Sequence, residues 1–133
     1  MTTSSQIPVE MILLRQAASY MTLPILMMDA GGSLLFYNEP AERLLGLSFD
    51  DAGPIAASQL GGLFETTDLE GNPLKDSEIP VVAALISRKP HHRRLRFRGL
   101  DGPWHEVEAT AIPVEGHGRR FVGVFATFWE ASS

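Results

Sequence analysis

From Pro8 to Tyr20 apolar residues recur at helical spacing, with Val9, Ile12, Leu13 and Ala17, joined by Gln16, on one stripe and Glu10 and Arg15 off it. Pro8 suits the first turn of this helix. Ile25 to Met28 and Leu34 to Tyr37 are short apolar runs joined through Asp29-Ala-Gly-Gly-Ser33, whose glycines permit a tight reversal. Asn38 then reads as a helix N-cap. Because Pro40 has no N–H, the Asn38 side chain must cap Ala41, and Gly46 follows as the left-handed stop. Ser48 is a second N-cap, Asp68 to Pro73 a turn, and Ser77 to Lys89 a helix with Val81, Val82, Leu85 and Ile86 on one side.

The last third alternates at period two. Leu95 and Phe97 oppose Arg94, Arg96 and Arg98, and Val107, Ala109 and Ala111 oppose Glu106 and Glu108. Pairing symmetric about Asp101 sets Arg96 against Glu106, Arg94 against Glu108, Leu95 against Val107 and Phe97 against His105. That single register satisfies both faces. The final strand, Phe121 to Trp129, carries Val122, Val124, Ala126 and Phe128 on one side and Phe121, Phe125 and Trp129 on the other. With the first two strands also apolar on both faces, the sheet needs a cover on each side. The leading helix alone, or that helix with a second copy, supplies the outer one. The expected dimer anchors are Val9, Ile12, Leu13, Phe121, Phe125 and Trp129.

Composition narrows the field. The 133 residues, 44% hydrophobic and 20% charged, fit one globular domain. A net charge of −5 argues against a dedicated nucleic-acid binder, and no run is long and apolar enough to span a bilayer. No signal-peptide pattern opens the chain, so a cytoplasmic location is expected. There is no cysteine, which removes disulfides, thiolate metal sites and thiol nucleophiles. No carboxylate pair, phosphate loop or nucleophile elbow stands out, so no catalytic residue and no metal site is assigned.

The order β-β-α-α-α-β-β-β, with Asp29…Gly32, Asn38-Glu-Pro-Ala-Glu-Arg-Leu-Leu-Gly46, Asp68-Leu-Glu-Gly-Asn-Pro-Leu74, Asp101-Gly102 and Gly123 to Phe128, resembles the PAS domain. The resemblance covers about Leu23 to Glu130. It implies an α+β fold: a five-stranded antiparallel sheet ordered 2-1-5-4-3, with helices on one face enclosing a pocket and the N-terminal helix on the other. The domain organisation expected is a disordered tail over 1–7, a capping or dimerisation helix over 8–22, the PAS-like domain over 23–130 and a tail over 131–133. Where the family often carries an Asp-Ile-Thr coupling motif, this chain reads Glu130-Ala131-Ser132, and an output in trans is expected.

The function implied is a stand-alone sensory or protein-interaction domain in signal transduction, such as transcription regulation. It would form a homodimer, signal to a protein partner and take a small apolar ligand such as a fatty acid. The expected pocket residues are Leu44, Leu45, Leu60, Val82, Ile86, Phe97, His105, Val107, Ala109 and Val124. Ala109, Ala111 and Gly123 leave room over the sheet, although a filled core is the competing arrangement. Met11, Met21, Met27 and Met28 read as core or as an adaptable lining.

Haem-binding members of the family use a helix histidine, which brings His91 and His92 into question, but Pro90 ends the helix before them and a solvated loop is expected there. His117 is expected in an exposed turn. The family's cysteinyl-flavin chemistry is excluded by the absence of cysteine. A small cone-fold enzyme with His105 as pocket base is the alternative from another class.

Overall fold

The computed structural model describes residues 7–53, 55–56, 64–99 and 102–130. The helix α1 spans Val9–Ala18, with Pro8 as its N-cap. Then come β1 (Ile25–Asp29), β2 (Ser33–Tyr37), α2 (Glu39–Leu45), α3 (Phe49–Ala52), β3 (Ile55–Ala56) and β4 (Glu65–Thr67). A 3₁₀ turn (Asp76–Glu78) leads into α4 (Pro80–Ser87), and β5 (His91–Arg98), β6 (Trp104–Glu115) and β7 (Phe121–Glu130) complete the chain. The helix predicted from Ser77 therefore begins at Pro80, whose fixed φ suits the first helical position.

The strands form one antiparallel sheet ordered β3-β2-β1-β7-β6-β5-β4. Its five longer strands have the expected 2-1-5-4-3 arrangement, and β3 and β4 add a short strand at each edge. The β5–β6 register agrees with the sequence reading: Arg94 opposes Glu108, Leu95 Val107, Arg96 Glu106 and Phe97 His105. The expected Arg94–Glu108 pair forms, whereas Arg96 leaves Glu106 to a diagonal contact with Arg94. Arg94 reaches both Glu106 (3.8 Å) and Glu108 (3.7 Å), while the guanidinium of Arg96 lies 5.4 Å from the Trp104 ring centre. These pairs are exposed and help register more than stability.

Each face of the sheet has its own apolar cover. On the inner side Leu34, Tyr37, Leu95, Phe97, Val107 and Phe128 pack with Ala41 and Leu45 of α2, while Met28, Ala111, Val124 and Ala126 pack with Val81 and Ala84 of α4. On the outer side Ile25, Met27 and Val122 pack beneath Met11, Leu14 and Ala18 of α1, with Phe125 alongside. Burying Met11 alone contributes roughly 1.5–3 kcal/mol. Gly123 allows this approach, because a Cβ there would stand 2.7 Å from Met11 Cε and 2.5 Å from the Met28 carbonyl oxygen.

Three sequence expectations change here. A β-bulge between β6 and β7 leaves Val122 unopposed, so Val122 turns outward and Phe121 inward against the α4 cluster. Phe121 therefore leaves the outer face, and Arg88 covers its ring at 4.8 Å. On α4, Pro80, Val81 and Ala84 point to the core, which puts Ile86 on the opposite side at 67% exposure. His91 and His92 belong to β5 rather than to a loop, because the antiparallel ladder continues past Arg93 to the His91–Ala111 pair.

Asn38 joins four elements. Its Oδ1 accepts from Ala41 N (3.2 Å), as predicted, and from Ile25 N (3.0 Å). Its Nδ2 donates to the carbonyls of Ala18 (3.0 Å) and Leu23 (2.8 Å). One buried amide thus caps α2 and ties it to β1, the end of α1 and the connecting loop. Gly46 closes α2 in the left-handed region at φ 75°, ψ 18°.

Candidate functional site

Small side chains at Ala109 and Ala126 leave the inner sheet face unfilled opposite the segment from β4 to α4. The result is a cavity of about 350 Å³, bounded by Leu26, Leu34, Leu45, Phe97, Val107 and Phe128 below and by Leu74, Ile79, Val81 and Val82 above. Phe64, Thr66 and Thr67 close one side and the exposed Asp76 stands at the rim, while the Glu65 side chain pairs with Arg98 on the other face of the sheet. Apart from this rim the lining is almost wholly apolar. Such a space receives a small molecule by dispersion and water release and offers no acid, base or nucleophile within.

The wall beside β4 is fixed by an Asx turn. Asp68 Oδ1 accepts from Glu70 N and Asn72 N, both at 2.9 Å, and Oδ2 accepts from Asn72 Nδ2 at 3.1 Å. The Asn72 backbone N–H and side-chain amide hold the Asp68 carboxyl below its ordinary pKa. Thr67 Oγ1 donates to the Asp68 carbonyl at 2.8 Å, so its hydrogen is spent inside the turn. At the β4–β5 edge, Glu65 is bound by Arg98, whose guanidinium also lies 5.1 Å from the Trp104 ring centre.

No family model and no curated protein matches the sequence. Solved structures do match. A PAS domain from Colwellia psychrerythraea is 21% identical over 92% of this chain and 97% of that one, with a TM-score of 0.62. The PAS domain of the fruit-fly ELK potassium channel superposes over 96% of this chain and all of that one, at 13% identity and a TM-score of 0.69. The chain has the PAS fold. A Rhodobacter sphaeroides LOV protein gives a TM-score of 0.71 at 13% identity, with 94% of this chain covering 69% of that one. At these identities the likeness is one of architecture.

Within this PAS fold, Leu45, Val82, Phe97, Val107 and Ala109 line the cavity. Leu44 packs against the core cluster beside it, and Val124 is buried under α4. Leu60 lies outside the described residues. Ile86 faces solvent and bounds no part of the cavity. The ring of His105 stacks on Phe97 at 5.4 Å, and its Nδ1 contacts Glu130 Oε2 at 3.2 Å. That places His105 at the end of the sheet, on the far side of Phe97 from the cavity lining, where it cannot act as a pocket base. Phe64, Leu74 and Ile79, which the sequence reading passed over, supply much of the wall. The signal for them was the apolar-rich spacing around the Asp68 turn.

The remaining histidines are engaged elsewhere. His91 Nε2 contacts Ser87 Oγ at 2.7 Å. His92 Nδ1 contacts Thr110 Oγ1 at 2.6 Å, and its Nε2 lies 3.4 Å from Glu108. His117 is exposed in the β6–β7 turn. The sequence has four histidines and none lines the cavity, so a haem there would lack an imidazole ligand. Among the described residues no cluster has metal-binding composition, and no helix is long and apolar enough to cross a membrane.

The expected dimer residues also separate. Phe125 is partly covered in cis by α1, and Trp129 lies beside Glu108 on the outer face. Val9, Ile12 and Leu13 remain 60%, 50% and 60% exposed, and Tyr20 84%. Val9, Ile12 and Leu13 occupy the side of α1 opposite Met11 and Ala18, so the helix is apolar on both its sides, and Tyr20 follows in the turn after it.

Proposed function

We propose that this chain is a sensory and protein-interaction domain in signalling, holding a small apolar molecule over the inner sheet face and pairing with a second copy along α1. The observation that carries the reading is the 350 Å³ apolar cavity under α4, at the small end of the range for ligand sites. Occupancy would stiffen the β4-to-α4 wall against the sheet. Because β7 contributes Val124, Ala126 and Phe128 inward and Val122 and Phe125 outward, a shift in that strand reaches α1 directly. The output would then pass in trans to a protein partner, with transcription regulation as one such use.

Pairing rests on the exposed α1 stripe of Val9, Ile12 and Leu13, with Tyr20 in the turn beyond the helix. Single exposed apolar residues are ordinary, but several in register on one helix mark an interaction surface. Leu13→Glu places a charge in that stripe without touching the buried Met11 side. Native mass spectrometry is expected to show a dimer for the natural chain, with extra mass where a small molecule is retained, and a folded monomer for Leu13→Glu. A dimer that survives the substitution removes the stripe as the interface.

A further inference from the structure

We infer that the Thr66 hydroxyl is the polar anchor of the cavity, so that the preferred ligand is an apolar molecule carrying one hydrogen-bonding group, a hydroxyl or a carbonyl, at its β4 end. The inference rests on the cavity's being a ligand site, as proposed above. Five of the residues bounding the cavity have polar side chains: Glu65, Thr66, Thr67, Asp76 and Thr127. Four of them are engaged elsewhere. Glu65 pairs with Arg98 on the other face of the sheet. Thr67 Oγ1 donates to the Asp68 carbonyl at 2.8 Å, and Thr127 Oγ1 to the Pro24 carbonyl at 3.1 Å. Asp76 is exposed at the rim and faces solvent.

Thr66 is the fifth. It stands opposite Phe97 in the β4–β5 register, and Phe97 packs in the inner cluster, so the Thr66 side chain shares the face on which the cavity lies. The Thr66 carbonyl accepts from Leu74 N at 3.1 Å, which holds β4 between β5 and the segment leading to α4. Its half-buried hydroxyl has no protein partner among the described residues, yet it can donate one hydrogen bond and accept two. The β-branch restricts χ1, so the hydroxyl is held in few orientations before any ligand arrives. A polar ligand atom bonded there completes the lining, while the rest of the molecule meets only apolar walls.

Size sets the probes. At about 30 Å³ for each water-sized unit, the cavity takes roughly ten non-hydrogen atoms. Benzyl alcohol and ethylbenzene fit within this size and differ only in a hydroxyl for a methyl. Isothermal titration of the intact protein gives the ratio of their two affinities. The hydration of the free alcohol cancels when that ratio is compared between variants.

Thr66→Val keeps the side-chain shape and removes the hydroxyl, and valine suits a strand as well as threonine does, so this variant keeps the fold. It is expected to lower the affinity of benzyl alcohol relative to ethylbenzene about fivefold, the worth of one hydrogen bond between uncharged partners. Ethylbenzene itself should bind no more weakly than before. Thr66→Ser retains the hydroxyl and should preserve the ratio of the natural chain. A ratio that is the same in Thr66→Val and the natural chain, or that falls equally in Thr66→Ser, overturns the inference while leaving the cavity a ligand site. If neither compound binds the natural chain, the cavity reading itself fails and the inference falls with it.

Discussion

Replacing Gly99 by alanine is expected to weaken the fold by about 3 kcal/mol or more, at the upper end of what overpacking costs. Gly99 follows β5 and lies against the last turn of α2. A Cβ on it would stand 2.2 Å from the Leu45 carbonyl oxygen and 2.8 Å from the carbonyl carbon. Both are backbone atoms of a helix pinned by the Gly46 cap and by the burial of Leu45, so neither can turn aside as a flexible side chain would. Relief requires α2 to lift from β5, which opens the cluster of Leu45, Leu95 and Phe97 and with it one wall of the cavity. Urea denaturation followed by far-ultraviolet circular dichroism measures the change. A midpoint within error of the natural chain would show that α2 and β5 approach less closely than described.

Asn38→Ala is expected to cost about 4 kcal/mol, since it removes a helix cap and strips partners from two carbonyls and two N–H groups. The amide contributes on both sides of its chemistry, accepting from Ile25 and Ala41 and donating to Ala18 and Leu23. Asn38→Asp separates the two halves. It keeps the acceptor for Ile25 and Ala41 but turns an oxygen toward two carbonyl oxygens. Repulsion and burial raise the pKa of the new carboxyl in the folded chain above its unfolded value. The folded variant then binds the proton more tightly than the unfolded one, and its deficit against the natural chain shrinks as the pH falls toward the ordinary carboxylate range. Denaturation midpoints of both chains at pH 7 and pH 5 measure this. A deficit that widens on acidification would contradict the assigned hydrogen bonds.

What could be seen in the sequence follows from the range of the forces involved. The β5–β6 register was legible because the charged and apolar alternations agree on one pairing, and a slip by one residue would reverse both faces. The Asn38 cap to Ala41 was legible because Pro40 leaves few N–H groups to cap. Its bonds to Ala18 and Leu23 were not, since they join residues 15 to 20 positions apart through the tertiary fold. Periodicity identified α1 as a helix but not which side it buries, because Met11, Leu14 and Ala18 form a second apolar stripe opposite Val9, Ile12 and Leu13. The bulge that exchanges Phe121 and Val122 has no signal in a period-two pattern. Ile86 failed as a pocket residue for a related reason: the tilt of α4 is set by Pro80 and by Ala84 packing on β6 and β7, not by where its larger side chains fall.

Ligand binding depends on the room left above Ala109 and Ala126 on the inner sheet face. A crystal structure under xenon pressure tests this directly, because xenon enters dry apolar cavities and needs no polar contact. The expected result is a xenon peak between Phe97, Val107 and Val82. Density showing the Leu74, Ile79 and Val82 side chains collapsed onto Ala109 and Ala126, with no xenon beneath α4, would contradict it.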